Sequence, residues 1–257
     1  MIWTDNLNPI ALDLGFAQIR WYGVFYLIAF LLGFFWLKLL VKKKLVSFSA
    51  KQIDDLLFGM ILGVILGGRI GYFLLYKPTQ FFSPELFEIW HGGMSFHGGL
   101  LGVLVAIFWL ARKWQKSFFE ISDIVVILAA VGIAFGRLGN FVNGELVGRP
   151  TGGDWGVIFP NFDATPRFPS QLFEAAKNLG IAGLLLLIFR TKPRRGILSF
   201  AFLTFYGLGR TLVEIFWREP LDGFIFGLPK GAVYSLPLFF IGISGIIWLL
   251  FKSERRA

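Results

Sequence analysis

The sequence predicts an all-α integral membrane protein with seven transmembrane helices, a small extracytoplasmic loop region, an outside N-terminus and a cytoplasmic C-terminus. Three observations support this fold class. Hydrophobic residues make up 56% of the 257 residues and charged residues only 16%, whereas a soluble domain carries about 25% charge. Apolar stretches long enough to cross roughly 30 Å of hydrocarbon occur repeatedly. Basic residues are concentrated in every second connection between those stretches.

The apolar stretches define seven spans within one membrane domain, joined on the outside by two long polar loops. We predict spans at residues 17–40, 54–76, 97–112, 119–139, 171–189, 196–217 and 231–251, with outer loops at 77–96 and 140–170. Each span is close to the roughly twenty residues that a crossing helix needs. The first span has no basic segment before it and no small-residue cleavage pattern after it, so we expect it not to be a removable signal peptide.

The position of the basic residues predicts the orientation and the kind of partner. Fourteen basic residues follow spans one, three, five and seven, against six in the other connections. By the positive-inside rule, the richer side is cytoplasmic. The net charge of +9 is therefore explained by topology, and we expect no nucleic-acid partner. Lys38 and Lys177 lie near span ends, where their long side chains can reach the interface. The chain has no cysteine, which excludes disulfides, thiolate metal sites and a cysteine nucleophile of its own; we expect no metal and no cofactor.

Span two carries glycines at every fourth position, which indicates close helix packing. The glycines are Gly59, Gly63, Gly67 and Gly71. A helix with one small-residue stripe allows a second helix to approach closely. We expect these glycines to have a packing role and no direct chemical role.

Three arginines lie within the spans at a similar predicted depth, in the outer half of the membrane. They are Arg69, Arg137 and Arg210. An unpaired arginine at the bilayer centre costs about 2.5–3.5 kcal/mol on insertion scales, so each should face protein, water or an anion. Guanidinium groups stay charged and bind phosphate oxygens in pairs, so three of them at one depth suit a phosphate.

Structural explanations remain open for each arginine taken alone. Arg210 and Glu214 are four residues apart and can form an ion pair within one helix, on the same face as Tyr206. Arg69 can reach the interface or bond to another helix. Arg137 can cap its helix or contact a neighbouring one. Tyr22, near the outer end of span one, has the same predicted depth.

The stretch HGGMSFHGGLLG, residues 91–102, contains the two histidines of the chain. Glycines on both sides of His97 permit tight turning before span three, and Ser95 can cap that helix. A neutral imidazole can accept a proton from a weak nucleophile, although a histidine at a membrane interface is often only a hydrogen-bonding residue. His97 is better placed for chemistry than His91.

The stretch FGRLGNFVNGELVGRP, residues 135–150, brings Arg137 and Asn140 to the end of span four. Asn143, Glu145 and Arg149 follow Arg137 and Asn140 directly. A solvated turn and a re-entrant loop lining a polar cavity both fit this glycine-punctuated segment.

Five stretches together resemble the prolipoprotein diacylglyceryl transferase family. They are GGRIGY (67–72), GGMSFHGGLLG (92–102), GRLGNFVNGELVGR (136–149), PSQLFE (169–174) and YGLGRTLVEIFWREP (206–220). The resemblance extends from the WYG at residues 21–23 to the last span, and the block around Asn140 is the most specific part.

The resemblance implies a multi-pass enzyme of the bacterial cytoplasmic membrane with its active site toward the outer leaflet. Such an enzyme transfers the diacylglyceryl group of phosphatidylglycerol to the lipobox cysteine of a prolipoprotein, which forms a thioether and releases glycerol phosphate. The implied partners are phosphatidylglycerol, the prolipoprotein signal peptide and the lipid bilayer. The implied site residues are Tyr22, His97, Arg137, Asn140, Glu145, Gly148, Arg210 and Glu214, with Arg69 and Tyr206 in support.

The residue types fit this chemistry. Arg137 and Arg210 are the candidates for stabilising negative charge on the leaving phosphate. His97 is the candidate base for the substrate thiol, while an arginine-lined site alone could also lower the thiol pKa. Asn140 and Glu145 can orient phosphate or glycerol hydroxyls, and Glu214 can hold Arg210.

Three departures from the family pattern bear on substrate selectivity. Phe168 and Phe173 stand where family members often have histidine and tyrosine, so no role of those side chains can be transferred. His91 stands where an acidic residue is common, and the outer loop from Val147 to Ser170 is short.

Competing classes are a transporter of small anions or lipids, an intramembrane phosphatase or acyltransferase, and a structural scaffold. A transporter would be expected to show repeats and paired broken helices, which the sequence lacks. A phosphatase or acyltransferase would be expected to use more histidines or a His-Asp signature, and a scaffold does not require buried arginines at one depth.

Overall fold

The computed structural model describes residues 1–15, 18–88, 92–221 and 223–254. Within them, seven helices are long and apolar enough to cross a membrane, which confirms the predicted class and number of spans. The helices are α1 (Trp21–Lys42), α2 (Ala50–Tyr76), α3 (Phe96–Lys113), α4 (Phe118–Val142), α5 (Ser170–Arg190), α6 (Ile197–Phe216) and α7 (Lys230–Glu254). Short strands are β1 (Ile2–Thr4), β2 (Ile10–Asp13), β3 (Gln18–Arg20), β4 (Gly156–Ile158), β5 (Phe224–Ile225) and β6 (Leu228–Pro229).

The helix starts differ from the sequence prediction where polar chemistry defines them. α1 begins at Trp21 rather than 17, because residues 18–20 pair antiparallel with β2. α2 begins at Ala50 rather than 54. Ser49 Oγ accepts from Gln52 N at 3.1 Å, and Gln52 Oε1 accepts from Ser49 N at 2.9 Å. This capping box allows the helix to start in a polar segment that hydropathy alone leaves outside the span.

The chain divides into two compact units, Leu32–Ser122 and Met1–Leu31 with Asp123–Ala257. The expected single membrane domain stays a prediction. In the unit Leu32–Ser122, the glycine stripe of α2 faces α3. A Cβ added at Gly63 would lie 2.7 Å from the Gly102 carbonyl, and one at Gly67 would lie 2.9 Å from Gly102 Cα. The predicted packing role of the stripe is confirmed, because side chains there would force the helices apart.

In the unit Met1–Leu31 with Asp123–Ala257, α6 is held against α7 and fixed at its first turn by a buried carboxylate. A Cβ at Gly207 would lie 2.5 Å from the Phe239 nitrogen, so α7 packs on bare α6 backbone. Asp123 Oδ1 accepts from Ser199 N at 2.8 Å, and its Oδ2 accepts from Gly196 N at 2.6 Å. These bonds satisfy backbone donors that a helix start leaves unpaired. α6 is thereby fixed in place for the charged residues near its other end.

The segment between α4 and α5 is cross-linked by one arginine. Arg167 binds Asp163 Oδ2 at 2.5 Å through Nη2, and its Nη1 donates to Glu219 Oε2 at 2.8 Å and to the Gly148 carbonyl at 2.9 Å. β4 of this segment pairs parallel with β1, with Val157 opposite Trp3. The segment is thus a fixed structure over the ends of α4, α5 and α6.

Candidate functional site

A fully buried carboxylate joins three cations from three helices. Glu174 Oε2 lies 3.3 Å from Arg137 Nε of α4 and 3.2 Å from Arg210 Nη1 of α6. Its Oε1 lies 3.0 Å from Lys177 Nζ, one turn further along α5. The Arg137 contact has ion-pair distance but poor hydrogen-bond alignment, since Nε makes no hydrogen bond by geometry. Charge attraction at close range therefore brings these side chains to one place.

The start of α5 is anchored to the segment that follows α4, which fixes the height of Glu174. Ser170 Oγ donates to the Leu146 carbonyl at 2.9 Å, and Gln171 Nε2 donates to the Glu145 carbonyl at 2.6 Å. Both side chains are fully buried. A buried polar group is costly unless paired, so these bonds define where α5 begins. Glu174 then lies one turn inside the helix.

A second buried carboxylate, Glu214, continues the cluster along α6. Glu214 Oε1 lies 2.5 Å from Arg210 Nη2 and 3.2 Å from Arg218 Nη1. The predicted ion pair between Arg210 and Glu214 is confirmed. Burial, followed by the charges of Arg210 and Arg137, lowers the pKa of Arg218 to about 10, which still leaves it charged at neutral pH.

The cluster carries a surplus of positive charge. Among the described residues, four cations surround two carboxylates, which leaves two positive charges unbalanced. The cations are Arg137, Lys177, Arg210 and Arg218, and the carboxylates are Glu174 and Glu214. Because uncompensated charge away from water is unfavourable, the arrangement is suited to an anion.

A chain of polar side chains leads from the cluster to the surface. Arg137 Nη1 donates to Asn140 Oδ1 at 3.3 Å, and Asn140 Nδ2 donates to Glu145 Oε2 at 3.2 Å. Asn143 Nδ2 donates to the other Glu145 oxygen at 3.2 Å. Asn140 is buried whereas Glu145 is exposed. Polar groups therefore connect the buried cations with the segment between α4 and α5.

The turn that follows Glu145 is packed rather than solvated. Val147 and Gly148 are buried, and Gly148 N donates to the Phe168 carbonyl at 3.1 Å. A Cβ at Gly148 would lie 2.8 Å from the Trp217 carbonyl. Gly148 thus allows close backbone approach, and the solvated-turn interpretation is wrong for it. Arg149 Nε donates to the Arg218 carbonyl at 3.0 Å, which ties the same turn to the end of α6.

Two tyrosines of α1 lie on glycines of α4. The Tyr22 ring occupies the space beside Gly139, and the Tyr26 hydroxyl lies beside Gly136. The two hydroxyls are 3.4 Å apart. The candidate Tyr22, a residue of α1, therefore packs against α4, the helix that carries Arg137. Tyr206, another candidate, has its ring centroid 4.5 Å from Lys177 Nζ.

In the unit Leu32–Ser122, Arg69 is bound to backbone. Its Nε donates to the Leu86 carbonyl at 3.0 Å. Its terminal nitrogens donate to the backbone carbonyls of Gly93 at 3.1 Å and Glu88 at 3.0 Å. They also bond to the carbonyls of Glu85 and Gly92. Arg69 holds the connection between α2 and α3 in place. A phosphate-binding role for Arg69 stays a prediction and would require these bonds to break.

His97 is the second residue of α3 and is exposed. Ser95 Oγ accepts from Gly98 N at 3.3 Å, which confirms the predicted helix cap. The His97 ring lies edge-on to its neighbour Phe96, with centroids 5.8 Å apart. His91 lies outside the described residues, and the role of His97 as a base stays a prediction.

Comparison with known proteins identifies the family. Residues 9–248 match the family model described as prolipoprotein diacylglyceryl transferase.

The chain belongs to the prolipoprotein diacylglyceryl transferase family.

Relatives match over nearly their whole length. Proteins named phosphatidylglycerol–prolipoprotein diacylglyceryl transferase are 45% identical in Legionella pneumophila and 44% identical in Polynucleobacter asymbioticus, covering 95% of this chain and 97% and 96% of theirs. One from Oleidesulfovibrio alaskensis is 42% identical over 100% of this chain and 98% of its own.

Three residues of the cluster in this diacylglyceryl transferase family member were not identified from sequence as site residues. They are Glu174, Lys177 and Arg218. A lone carboxylate within an apolar span was the available signal for Glu174, since ionisable groups in spans are costly and functional. The prediction that Lys177 reaches the membrane interface is wrong, because its ammonium is paired with Glu174 and its side chain is only 14% exposed.

Phe168 and Phe173 form an aromatic row with two tryptophans. Phe168 lies between Trp155, with centroids 5.2 Å apart, and Phe173, at 6.4 Å; Phe173 then contacts Trp217 at 5.7 Å. These rings connect the segment between α4 and α5 to α5 itself and to the end of α6. Aromatic packing therefore involves both Phe168 and Phe173 in this family member.

Proposed function

We propose that this protein transfers the diacylglyceryl group of phosphatidylglycerol to the thiol of a prolipoprotein lipobox cysteine. In this proposal the protein lies in the cytoplasmic membrane of a bacterium, with its N-terminus on the outer side and its C-terminus in the cytoplasm. Its site faces the outer leaflet of that membrane. The distribution of basic residues supports this orientation. The names of the relatives support the pair of substrates.

The observation that carries the proposal is the meeting of Arg137 and Arg210 at Glu174 within a cluster of surplus positive charge. Phosphate oxygens are the preferred partners of paired guanidinium groups. The Arg137 side chain is 16% exposed, so part of its guanidinium group can donate to an incoming anion. A lipid phosphate placed here has two arginines from different helices beside it.

The reaction is a displacement at a glycerol carbon. The thiolate sulfur forms a bond to that carbon, the carbon–oxygen bond to phosphate breaks, and the electron pair stays on the phosphate oxygen. A phosphodiester with one negative charge becomes a phosphomonoester with up to two. Arg137 and Arg210 stabilise the charge that develops on that oxygen, which is the electrostatic contribution expected of preorganised donors.

The remaining candidates orient the substrates. Asn140 and Glu145 bind glycerol hydroxyls or phosphate, and Glu214 fixes Arg210. Tyr22 and Tyr206 line the site, while Gly148 gives the outer turn its shape. His97 takes the thiol proton, since a thiol of pKa about 8.5 reacts as thiolate.

The test is transfer by the purified protein. Wild-type protein, phosphatidylglycerol and a lipobox peptide should give a peptide heavier by one diacylglyceryl group in mass spectrometry, and Arg137→Ala should abolish this product. Arg112→Ala is the control, because Arg112 is a helical arginine whose guanidinium lies over the Phe108 ring at 4.9 Å.

The same assay separates the competing classes. Release of glycerol phosphate and free diacylglycerol without modified peptide would indicate a hydrolase and overturn the proposal. Binding of lipid without any covalent change in either substrate would favour a transporter. Full product formation by Arg137→Ala would remove the assigned role of that arginine.

A further inference from the structure

Lys177 is a cation of the buried cluster, and the proposed transfer reaction assigns it no role. Its Nζ lies 3.0 Å from Glu174 Oε1, while Arg137 and Arg210 approach Oε2 of the same carboxylate. All three cations thus lie within 3.3 Å of an oxygen of the same carboxylate. Lys177 is therefore placed to contact any anion that the two arginines hold.

The carboxylate and the three cations differ in how far they are buried. The Glu174 side chain is 0% exposed, whereas those of Lys177, Arg137 and Arg210 are 14%, 16% and 17% exposed. The carboxylate is thus fully enclosed, whereas each of the three cationic side chains keeps an exposed part. An anion that reaches these exposed parts can contact the cations while Glu174 stays paired with them.

Residues of α6 fix the position of the Lys177 side chain. A Cβ at Gly209 would lie 2.6 Å from Lys177 Cδ and 3.1 Å from Cγ. The ammonium also lies 4.5 Å from the Tyr206 ring centroid, within range of a cation–π contact. Gly209 accommodates the aliphatic stem while Tyr206 and Glu174 fix the charged end. A side chain held in this way loses little further entropy when it binds a ligand.

We propose that Lys177 is a third phosphate ligand, which acts mainly on the dianionic product of the transfer, and that Glu174 is the positioning residue that holds the three cations together. This rests on the proposed function. Phosphatidylglycerol presents a diester with one negative charge, whereas the departing glycerol phosphate has a second pKa near 6 and carries nearly two at neutral pH. The surplus of two positive charges matches the product rather than the substrate. Lys177 accordingly stabilises the charge that appears as the carbon–oxygen bond breaks.

The experiment compares Lys177→Met with wild type in purified, detergent-solubilised protein. Methionine keeps an unbranched stem beside Gly209 and removes the charge. Two soluble inhibitors serve as probes, namely glycerol phosphate, a dianionic monoester, and glycerophosphoglycerol, a monoanionic diester. We expect Lys177→Met to raise the inhibition constant of glycerol phosphate by about tenfold or more, to lower kcat by about tenfold to a hundredfold, and to change the inhibition constant of the diester and the KM for phosphatidylglycerol by less than about threefold.

Lys38→Met is the matched control. Lys38 is also a lysine of a membrane-spanning helix, with a carboxylate partner, Asp54, at 3.6 Å and a Phe34 ring 4.1 Å away. Its side chain is 44% exposed. This variant should leave both inhibition constants and kcat within twofold of wild type.

A second measurement does not depend on turnover. Glycerol phosphate should raise the Tm of wild type and of Lys38→Met, and should raise that of Lys177→Met clearly less. If Lys177→Met does not accumulate, Lys177→Gln replaces it in both measurements. Lys177→Arg, which keeps the charge, should retain most of the discrimination between the two inhibitors.

The outcomes separate the two proposals. Wild type that makes the thioether product, together with a Lys177→Met protein that has unchanged glycerol phosphate inhibition, overturns the role of Lys177 and leaves the proposed function standing. An equal loss of affinity for both inhibitors also overturns it, because a structural disturbance does not distinguish their charges. Wild type without transfer removes the proposed function itself.

Discussion

Arg137 of α4 and Arg210 of α6 are 73 positions apart in the sequence, yet they approach the same oxygen, Glu174 Oε2, at 3.3 and 3.2 Å. Like charges so close are tolerated because a buried carboxylate lies between them. Breaking a buried ion pair by removing one partner is strongly destabilising, because the remaining charge stays uncompensated. Glu174 is thus both a structural contact between helices and the group that aligns two guanidinium groups.

Glu174→Gln should therefore destabilise the protein and impair transfer. It keeps the shape of the side chain but leaves three cations facing each other, and we expect a loss of about 3–5 kcal/mol in the free energy of unfolding. Thermal unfolding in detergent measures the first effect, and the mass shift of the lipobox peptide measures the second.

Glu85→Gln is the control for that variant. Glu85 pairs with Lys77 at 3.3 Å, but its side chain is 50% exposed, and exposed pairs contribute about 0–1 kcal/mol. Equal unfolding temperatures for the two variants would contradict the central role of Glu174.

His97→Gln tests the proposed base. General base catalysis contributes about 10²–10⁴-fold, so we expect the rate at neutral pH to fall by at least a hundredfold. A rise in rate toward alkaline pH should follow, because more of the substrate thiol is then ionised without help. The pH–rate profiles of variant and wild type provide the measurement. Near-normal turnover at neutral pH would show that the positive charge of the arginines is enough to activate the substrate thiol.

Gly63→Ala should weaken the contact between α2 and α3. The added methyl group would lie 2.7 Å from the Gly102 carbonyl, and overpacking typically costs about 1–3 kcal/mol. Gly132→Ala is the matched control, since Gly132 lies inside α4 and no atom within 4 Å would meet its Cβ. Alanine is the better helix former there and should be neutral or stabilising by up to about 1 kcal/mol. Indistinguishable unfolding temperatures would contradict close packing at Gly63.

The segment between α4 and α5 should unfold locally at low pH. Hydrogen bonds from Arg167 hold the pKa of Asp163 below its usual value. A lowered pKa in the folded state contributes stability above the unfolded pKa of about 4, and that stability is lost as pH falls through the lower folded value. Limited proteolysis of residues 151–167 should accelerate below about pH 4 in wild type.

Asp163→Asn supplies the comparison for this acid effect. It cannot titrate, so it should be cleaved faster at pH 6 and show a weaker dependence on pH. An identical pH dependence in both proteins would assign the effect to another group, and Glu219, which also accepts from Arg167, is then the residue to replace.

The membrane class, the number of helices and the packing of the glycine stripe were predictable because they depend on local properties. An apolar stretch of sufficient length must form a helix in lipid, where its backbone groups have no other partners. The ion pair between Arg210 and Glu214 was foreseeable for the same reason, since one helical turn fixes their spacing. The exact start of α1 was not, because it depends on the pairing of β3 with β2.

The sequence by itself determined which helices form, which residue types each carries, and that charged groups in the spans need partners. Only the tertiary structure decided which residues those partners are. It placed Glu174 beneath Arg137 and Arg210, drew Lys177 into the same cluster and tied Arg69 to backbone carbonyls. The physical reason is that helical periodicity fixes the direction of a side chain on its own helix, whereas a charge pair between helices depends on how separate helices approach and pack.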